Sequence, residues 1–182
     1  MKLNIYKISH PIIKTMLSKI DQTNQQYYYK YIGLLFIYEI LRKHIDVKRI
    51  YIKQINETKY LDIINKNNKH FILTDLSCTY DMISDIRTML PSINIVNINY
   101  QNIDHTKESI NDLNVNLSQD KIIILEKVTR NDKIINLINY LNNKKNIDTA
   151  NINVSSIISC EKILNKIGSQ YPKLKVYTTK IL

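Results

Sequence analysis

Glycine is almost missing from this chain of 182 residues, which contains only Gly33 and Gly168. A loop that wraps closely around a phosphate needs positive φ angles and close backbone approach, and residues with a side chain resist both. Neither a Walker A loop nor a dinucleotide-binding fingerprint can therefore be present. The lack matters most at Lys121–Leu141, where an apolar run that predicts a buried strand leads into a helical pattern with no glycine between them.

Long apolar runs and paired cysteines are also scarce. Cys78 and Cys160 are isolated, so neither a disulfide framework nor a Cys-x-x-Cys metal site is indicated. No segment reaches the roughly 20 apolar residues that span a bilayer, since Ile32–Ile40 is short and contains Glu39. The first residues carry neither a secretory signal nor a transit-peptide pattern. We therefore expect no membrane partner and a protein made in the compartment where it works.

The residues that are abundant are isoleucine, asparagine and lysine, while tryptophan is absent. These residues have A+T-rich codons, which indicates an organelle genome such as that of a plastid. The formal net charge of +10 favours a polyanion partner, either RNA or a phosphorylated metabolite. Codon supply offers a competing explanation, because the lysines are spread along the chain without a block of five or six. Both interpretations remain open.

Alternating strand and helix patterns predict one α/β domain with a mainly parallel sheet. Residues 1–45 form a helical arm in which Pro11 suits a first turn, 46–69 form a small β excursion, and 70–182 form the core. The polar stretch 101–119 is predicted to be a mobile loop. The predicted strands are 70–76, 93–100, 121–125, 150–157 and 173–179, and the predicted core helices are 81–89, 132–143 and 160–169.

Several motifs resemble those of uracil phosphoribosyltransferases, in the same order along residues 8–182. They are His10-Pro11, the Ile32–Glu39 helix with its glycine, Leu90-Pro91-Ser92, Cys160–Ile163, and Tyr171-Pro172 followed by Lys175–Thr178. The resemblance implies a type I phosphoribosyltransferase-like α/β fold with helices on both faces of the sheet and an N-terminal helical pair. It also implies a homodimer, for which the apolar Ile32–Ile40 helix and the tyrosines at 27–31 would supply surface.

The departures from the family pattern fall on residues that carry its chemistry. Ser77 stands where the family has an arginine for pyrophosphate, Thr79 replaces a glycine, and Gln101 replaces a second arginine. A gap-free alignment of the diphosphate loop places Leu125 at the ribose-binding carboxylate and Asn131 and Asp132 at the two glycines. The family's uracil-closing segment would lie beyond Leu182.

Glu126, Thr129, Arg130 and Asn131 are the residues predicted to remain from a diphosphate loop. Glu126 would replace the ribose-binding carboxylate from one position further along the chain, and Arg130 with backbone N–H groups would bind a phosphate. The alternative is that these residues form only a solvated loop that caps the following helix. Asp75 and Asp81 are candidate ligands of Mg²⁺. Alternatively, Asp75 lies at the end of a strand and Asp81 at the start of a helix, where a carboxylate complements the helix dipole. Cys78 has no base beside it, and the four histidines lack ligand spacing.

We therefore predict a uracil phosphoribosyltransferase homolog with lost or greatly reduced activity, with no catalytic residue and no metal site assigned. The ancestral reaction joins uracil to phosphoribosyl diphosphate, giving uridine monophosphate and pyrophosphate. No cofactor is expected, apart from Mg²⁺ if phosphoribosyl diphosphate still binds. The alternative is a non-catalytic regulatory or RNA-binding module on the same scaffold. Both remain open because proteins that share a fold can differ in function.

Overall fold

A computed structural model of the protein describes residues 3–20, 25–65, 69–101, 103–111, 113 and 120–182. The strands are β1 (Asn4–Lys7), β2 (Val47–Lys53), β3 (Thr58–Ile64), β4 (His70–Thr74), β5 (Asn94–Asn97), β6 (Lys121–Thr129), β7 (Ile152–Ser159) and β8 (Lys175–Ile181). The helices are α1 (Pro11–Ile20), α2 (Gln25–Leu41), α3 (Leu76–Ile83), α4 (Ile86–Met89), α5 (Ile103–Asn111), α6 (Lys133–Asn139) and α7 (Glu161–Gln170). A π-helical turn, Tyr140–Lys144, continues α6, and a 3₁₀ turn, Thr149–Asn151, precedes β7.

Six strands form one parallel sheet in the order β1-β8-β7-β6-β4-β5. The central strand β6 carries four consecutive apolar residues, Ile122–Leu125, which are at most 1 % exposed. A strand that is apolar on both faces must be covered on both, as parallel sheets are. Each such side chain contributes roughly 1.5–3 kcal/mol relative to exposure. The predicted fold class is confirmed.

The two faces of the sheet bury separate cores. Ile123 and Leu125 face the cluster beneath α1, α2 and α3, whereas Ile122 and Ile124 face the cluster beneath α5, α6 and α7. The apolar side of α2, including Ile32 and Phe36, is fully buried in the first cluster. Because successive side chains of a strand point to opposite faces of the sheet, two adjacent residues always contribute to different cores.

Strands β2 and β3 form an antiparallel hairpin outside the main sheet. Arg49 makes a two-pronged contact with Asp62 across it, at 2.8 and 3.2 Å. Both faces remain largely exposed, including Tyr51, Tyr60 and Ile55, which are 72, 68 and 102 % exposed. The predicted β excursion is thus present as a two-stranded ribbon.

Four sequence predictions differ from the structure. Residues 4–7 form an edge strand that was not predicted, and it pairs with β8. The helix predicted at 81–89 starts earlier, at Leu76, because the Asp75 side chain accepts the Ser77 N–H at 3.0 Å and caps it. It ends at Ile83, and α4 follows.

Within the predicted mobile loop, residues 103–111 form the helix α5, so that prediction is wrong there. The Thr106 hydroxyl accepts the Asn99 N–H and donates to the Asn99 carbonyl, both at 2.8 Å, which ties α5 to the end of β5. Residues 114–119 lie outside the described residues, as does the polar break predicted at 21–24. Strand β6 also continues to Thr129, four residues beyond its predicted end.

Candidate functional site

The carboxyl ends of β4, β5 and β6 meet at one edge of the sheet, where ligands of open α/β proteins bind. The Thr74 hydroxyl donates to the Leu125 carbonyl at 2.7 Å and lies 2.7 Å from the Thr79 hydroxyl. The Leu76 N–H donates to the Asn97 side chain at 3.0 Å. These bonds fix the first turn of α3 against both neighbouring strands, so the edge is a rigid platform.

Glu126 lies at this edge, half-buried, with the side chains of Tyr100, Thr129 and Asp75 around it. Burial raises the pKa of the Glu126 carboxyl, interaction with the Tyr100 and Thr129 hydroxyls lowers it, and the Asp75 charge raises it, for a net rise. Both hydroxyls are buried, yet neither meets the geometry of a hydrogen bond with any described residue. The arrangement is a polar pocket in which two buried hydroxyls surround one carboxyl group.

Burial likewise raises the pKa of the Tyr100 hydroxyl, and the charges of Glu126 and Asp75 add to the rise. Tyr100 therefore remains a neutral donor at physiological pH. Tyr100 was not among the residues predicted to remain from a diphosphate loop. Its position directly after a strand that ends at the same edge was the signal that could have identified it.

The turn between β6 and α6 is short and does not form a phosphate cradle. β6 stays paired with β7 through Thr129, which is opposite Ser159, so only Arg130–Asp132 connect strand to helix. Asp132 precedes α6, and its carboxylate accepts a bond from Lys166 at 2.5 Å. A carboxylate at the start of a helix occupies the place where a bound phosphate would be stabilised. Arg130 and Asn131 are exposed.

The predicted remnant is thus divided in two. Glu126 and Thr129 come together in the pocket, whereas Arg130 and Asn131 lie on the exposed turn. Leu125 is fully buried in the core beneath α2 and α3, on the opposite face of β6. A carboxylate at that position would be buried in apolar surroundings, whereas a leucine there contributes to the core.

The described residues do not fit a resident Mg²⁺ ion. Asp75 accepts both the N–H and the hydroxyl of Ser77, at 3.0 and 2.6 Å, and so is used as a helix cap. Asp81 lies within α3, not at its start, and is 4.0 Å from the Lys127 ammonium. No group of three or more His, Cys, Asp or Glu side chains converges in the described part of the chain.

The remaining candidates have structural surroundings. Cys78 is an exposed free cysteine whose sulfur is 3.9 Å from Asp75, with no base to activate it. In the tyrosine cluster, the Tyr31 hydroxyl donates to that of Tyr27 at 3.0 Å. The Lys127 ammonium lies 4.5 Å from the ring centre of Tyr29, joining α2 to the edge of the sheet. Among the described helices, none is long and apolar enough to cross a membrane.

Comparison with known proteins gives the family. The sequence profile of the family described as "Uracil phosphoribosyltransferase" matches residues 7–181. The chain belongs to the uracil phosphoribosyltransferase family. A "Uracil phosphoribosyltransferase homolog" of Pyropia yezoensis is 27 % identical over 187 residues, covering all of this chain and 89 % of the relative. Another, of Porphyra purpurea, is 25 % identical over 194 residues, with the same coverage.

Among solved structures, the AQ2163 protein of Aquifex aeolicus superimposes with a TM-score of 0.72 at 14 % identity. The match covers 97 % of this chain and 86 % of that protein, and it supports the fold. Membership of the uracil phosphoribosyltransferase family gives the Glu126 pocket its context, since it lies at the sheet edge beside the turn where the family motif carries its diphosphate loop.

Proposed function

We propose that this protein is a uracil phosphoribosyltransferase homolog that has lost most or all phosphoribosyl transfer. The supporting observation is the three-residue turn Arg130–Asp132, in which a helix-start carboxylate paired with Lys166 replaces a glycine-rich phosphate loop. Ser77, at the position of a family arginine, donates its hydroxyl to the capping residue Asp75 at 2.6 Å and adds no positive charge.

The chemistry explains why these changes reduce the rate. During phosphoribosyl transfer, positive charge grows on the sugar and negative charge grows on the departing pyrophosphate, so cationic and metal contacts must stabilise the leaving group. Loss of one such contact costs about 10²–10³ in rate. In this chain the arginine and the glycines are altered together, and contacts that act as a unit are not additive.

The test is to incubate the purified chain with uracil, phosphoribosyl diphosphate and Mg²⁺ and to quantify uridine monophosphate by chromatography. We expect conversion close to that of the reaction without protein. Glu126→Gln and Arg130→Ala variants serve as matched controls. Robust conversion by the unmodified chain that either variant abolishes would refute the proposal and show that Glu126 or Arg130 had rebuilt a working site.

We also propose that the chain is a homodimer located in a plastid. The relatives from Pyropia yezoensis and Porphyra purpurea come from red algal plastid genomes, which supports the location. The surface expected to supply the dimer, Ile32–Ile40, has its apolar face buried within the chain itself. The exposed β2–β3 hairpin offers a better surface, because an isolated two-stranded hairpin is only marginally stable in water.

Sedimentation of the chain at micromolar concentration tests the dimer. Tyr51 and Tyr60 are cross-strand partners on the hairpin, so Tyr51→Ser/Tyr60→Ser should weaken association. Tyr80→Ser is the matched control, since Tyr80 is 66 % exposed on α3. A single species of 21.5 kDa for the unmodified chain would contradict the proposal.

A second candidate function is that of a non-catalytic module that binds a polyanion. The net charge of +10 supports it. For single-stranded RNA, the logarithm of affinity should fall with the logarithm of salt concentration by about 0.7 per phosphate contacted. Absence of RNA binding at low salt would leave the charge as an effect of codon usage.

A further inference from the structure

Strand β1 forms an open edge of the main sheet. It pairs with β8 on one side, and no strand that the structure describes lies on its other side. The Ile8 N–H donates to the Thr178 carbonyl at 2.8 Å. Because backbone groups point alternately to the two sides of a strand, those of Ile5 and Lys7 point away from β8. Such a row of N–H and C=O groups is a template on which a further strand can pair.

A cavity of about 450 Å³ lies beside this edge, on the face of the sheet that α2 covers. It lies between β1 and the carboxyl end of α2, and its lining includes Tyr6, Glu39, Arg42 and Lys43. The Tyr6 ring stacks on that of its strand partner Tyr177, with 5.1 Å between the ring centres. The cavity therefore has an ordered aromatic floor and a charged wall, and it is open towards the free side of β1.

The wall of the cavity carries an excess positive charge at Lys43. Arg42 is paired with Glu39 at 3.0 Å, so these two charges largely compensate each other. The Lys43 ammonium lies 4.5 Å from the centre of the Tyr6 ring and forms no ion pair with a carboxylate among the described residues. Neighbouring strands of a sheet lie about 4.7–4.9 Å apart. A carboxylate placed opposite Tyr6 on an added strand is therefore within reach of Lys43.

The two faces of β1 favour different side chains on such a strand. Tyr6 and Lys43 lie on the α2 face, which favours an acidic residue opposite Tyr6. Ile5 points to the other face and is 40 % exposed, which favours an apolar residue beside it. A second copy of β1 fits poorly, because Asn4–Lys7 contains no acidic residue and adds another lysine. The complementary strand is therefore an acidic segment of a different protein, with charged and apolar residues in alternation.

We propose that the open edge of β1 binds an extended acidic segment of another protein by strand addition, with one carboxylate beside Lys43. Main-chain hydrogen bonds to Ile5 and Lys7 hold the segment, and Lys43 selects acidic over basic sequences. This edge is separate from the Glu126 pocket, since β8 and β7 lie between β1 and β6. It can therefore bind a partner whether or not phosphoribosyl transfer survives.

Fluorescence anisotropy with the purified full chain tests the proposal. The probe is a labelled, end-capped peptide of about eight residues in which glutamate alternates with valine, which is long enough to span β1. One comparison peptide has lysine in place of glutamate, and another is the acidic peptide methylated on every backbone nitrogen. We expect the acidic peptide to bind about tenfold or more tightly than either, because the first reverses the charge and the second lacks backbone donors.

Variants locate the contact on the chain. Ile5→Pro removes an outward N–H at a sheet edge, where proline is tolerated, and should weaken binding about tenfold. Ile5→Thr keeps this N–H and is its matched control. Lys43→Gln lies outside β1, leaves the backbone of the strand unchanged and should weaken binding about fivefold. Lys162→Gln removes the same charge at an exposed position on α7 and should leave affinity within about twofold.

Four results would overturn the proposal. The first is no binding of the acidic peptide up to millimolar concentration, and the second is equally tight binding of the lysine peptide or the methylated peptide. The third is an equal loss of affinity in Lys43→Gln and Lys162→Gln. The fourth is self-association of the chain that Ile5→Pro abolishes, since a second copy would then occupy the edge.

A single-stranded RNA oligonucleotide serves as a further probe of the same surface. Binding of this RNA that Lys43→Gln weakens, together with no binding of the acidic peptide, would assign the surface to RNA and would also overturn the proposal. Because all of these assays measure binding alone, their outcome is separate from that of the turnover assay.

Discussion

Gly33 provides the sharpest test of how α2 packs on α3. A Cβ atom at this position would lie 2.4 Å from the Met82 Cα and 2.5 Å from the Met82 carbonyl oxygen. Non-bonded carbon atoms prefer separations of about 3.5–4.0 Å. Both clashing atoms belong to the backbone, so no side-chain rotation relieves the overlap. Gly33→Ala must therefore push the two helices apart by roughly an ångström.

The expected cost combines two opposing effects. Overpacking a dense core costs about 3 kcal/mol, at the upper end of its usual range, because the obstacle is rigid. Replacing glycine by alanine inside a helix returns about 1 kcal/mol. The net loss is about 2 kcal/mol, which lowers the melting temperature of a chain of this size by about 4–8 °C.

Urea unfolding followed by circular dichroism measures this loss, and Gly168→Ala is the matched control. A Cβ atom at Gly168, within α7, would lie 3.1 Å from the Leu3 Cβ. That separation calls for a shift of only a few tenths of an ångström, far less than at Gly33, so the gain in helix propensity should make this variant neutral or slightly more stable. Unchanged or increased stability of Gly33→Ala would refute the close helix contact.

Two further predictions concern buried polar groups. Burial lowers the pKa of His44 from its usual 6.5 to about 4, so the unfolded chain binds the proton first. Stability should then fall as pH drops from 6.5 towards 4, by roughly 1–2 kcal/mol after allowance for partial exposure. In the His44→Gln variant, the midpoint of urea unfolding should depend much less on pH across that range. The remaining dependence comes from His70, whose pKa is also lowered by burial. In β7, Ser155→Ala removes a buried hydroxyl without a described partner and should be neutral or stabilising. Ser159→Ala breaks the 2.9 Å bond to Thr178 and should cost about 1–3 kcal/mol; the reverse order in thermal unfolding would contradict this assignment.

Local patterns in the sequence identified most of the sheet. The runs beginning at His70 and Lys121 are apolar on consecutive residues, as expected for strands covered on both faces. The family motifs appeared in the right order, and one of them contains Gly33, where α2 packs closely on α3. These signals depend on neighbouring residues alone, so they could be read without the fold.

Elements supported by distant partners could not be found in this way. Strand β1 is four exposed residues long and exists because β8 supplies its hydrogen bonds from the other end of the chain. The helix α5 is short and polar, and it is tied to Asn99 through Thr106. A single sequence carries little periodicity for such elements, because their stability comes from tertiary contacts.

The sequence by itself determined the α/β scaffold, the family and the loss of glycine where the diphosphate loop should be. Tertiary structure alone decided which side chains form the remaining pocket. The pairing of β6 with β7 sets Leu125 opposite Ser155 and Glu126 opposite Ser156. Because adjacent residues of a strand point to opposite faces, that register buries Leu125 and brings Glu126 to Tyr100, 26 positions earlier in the chain.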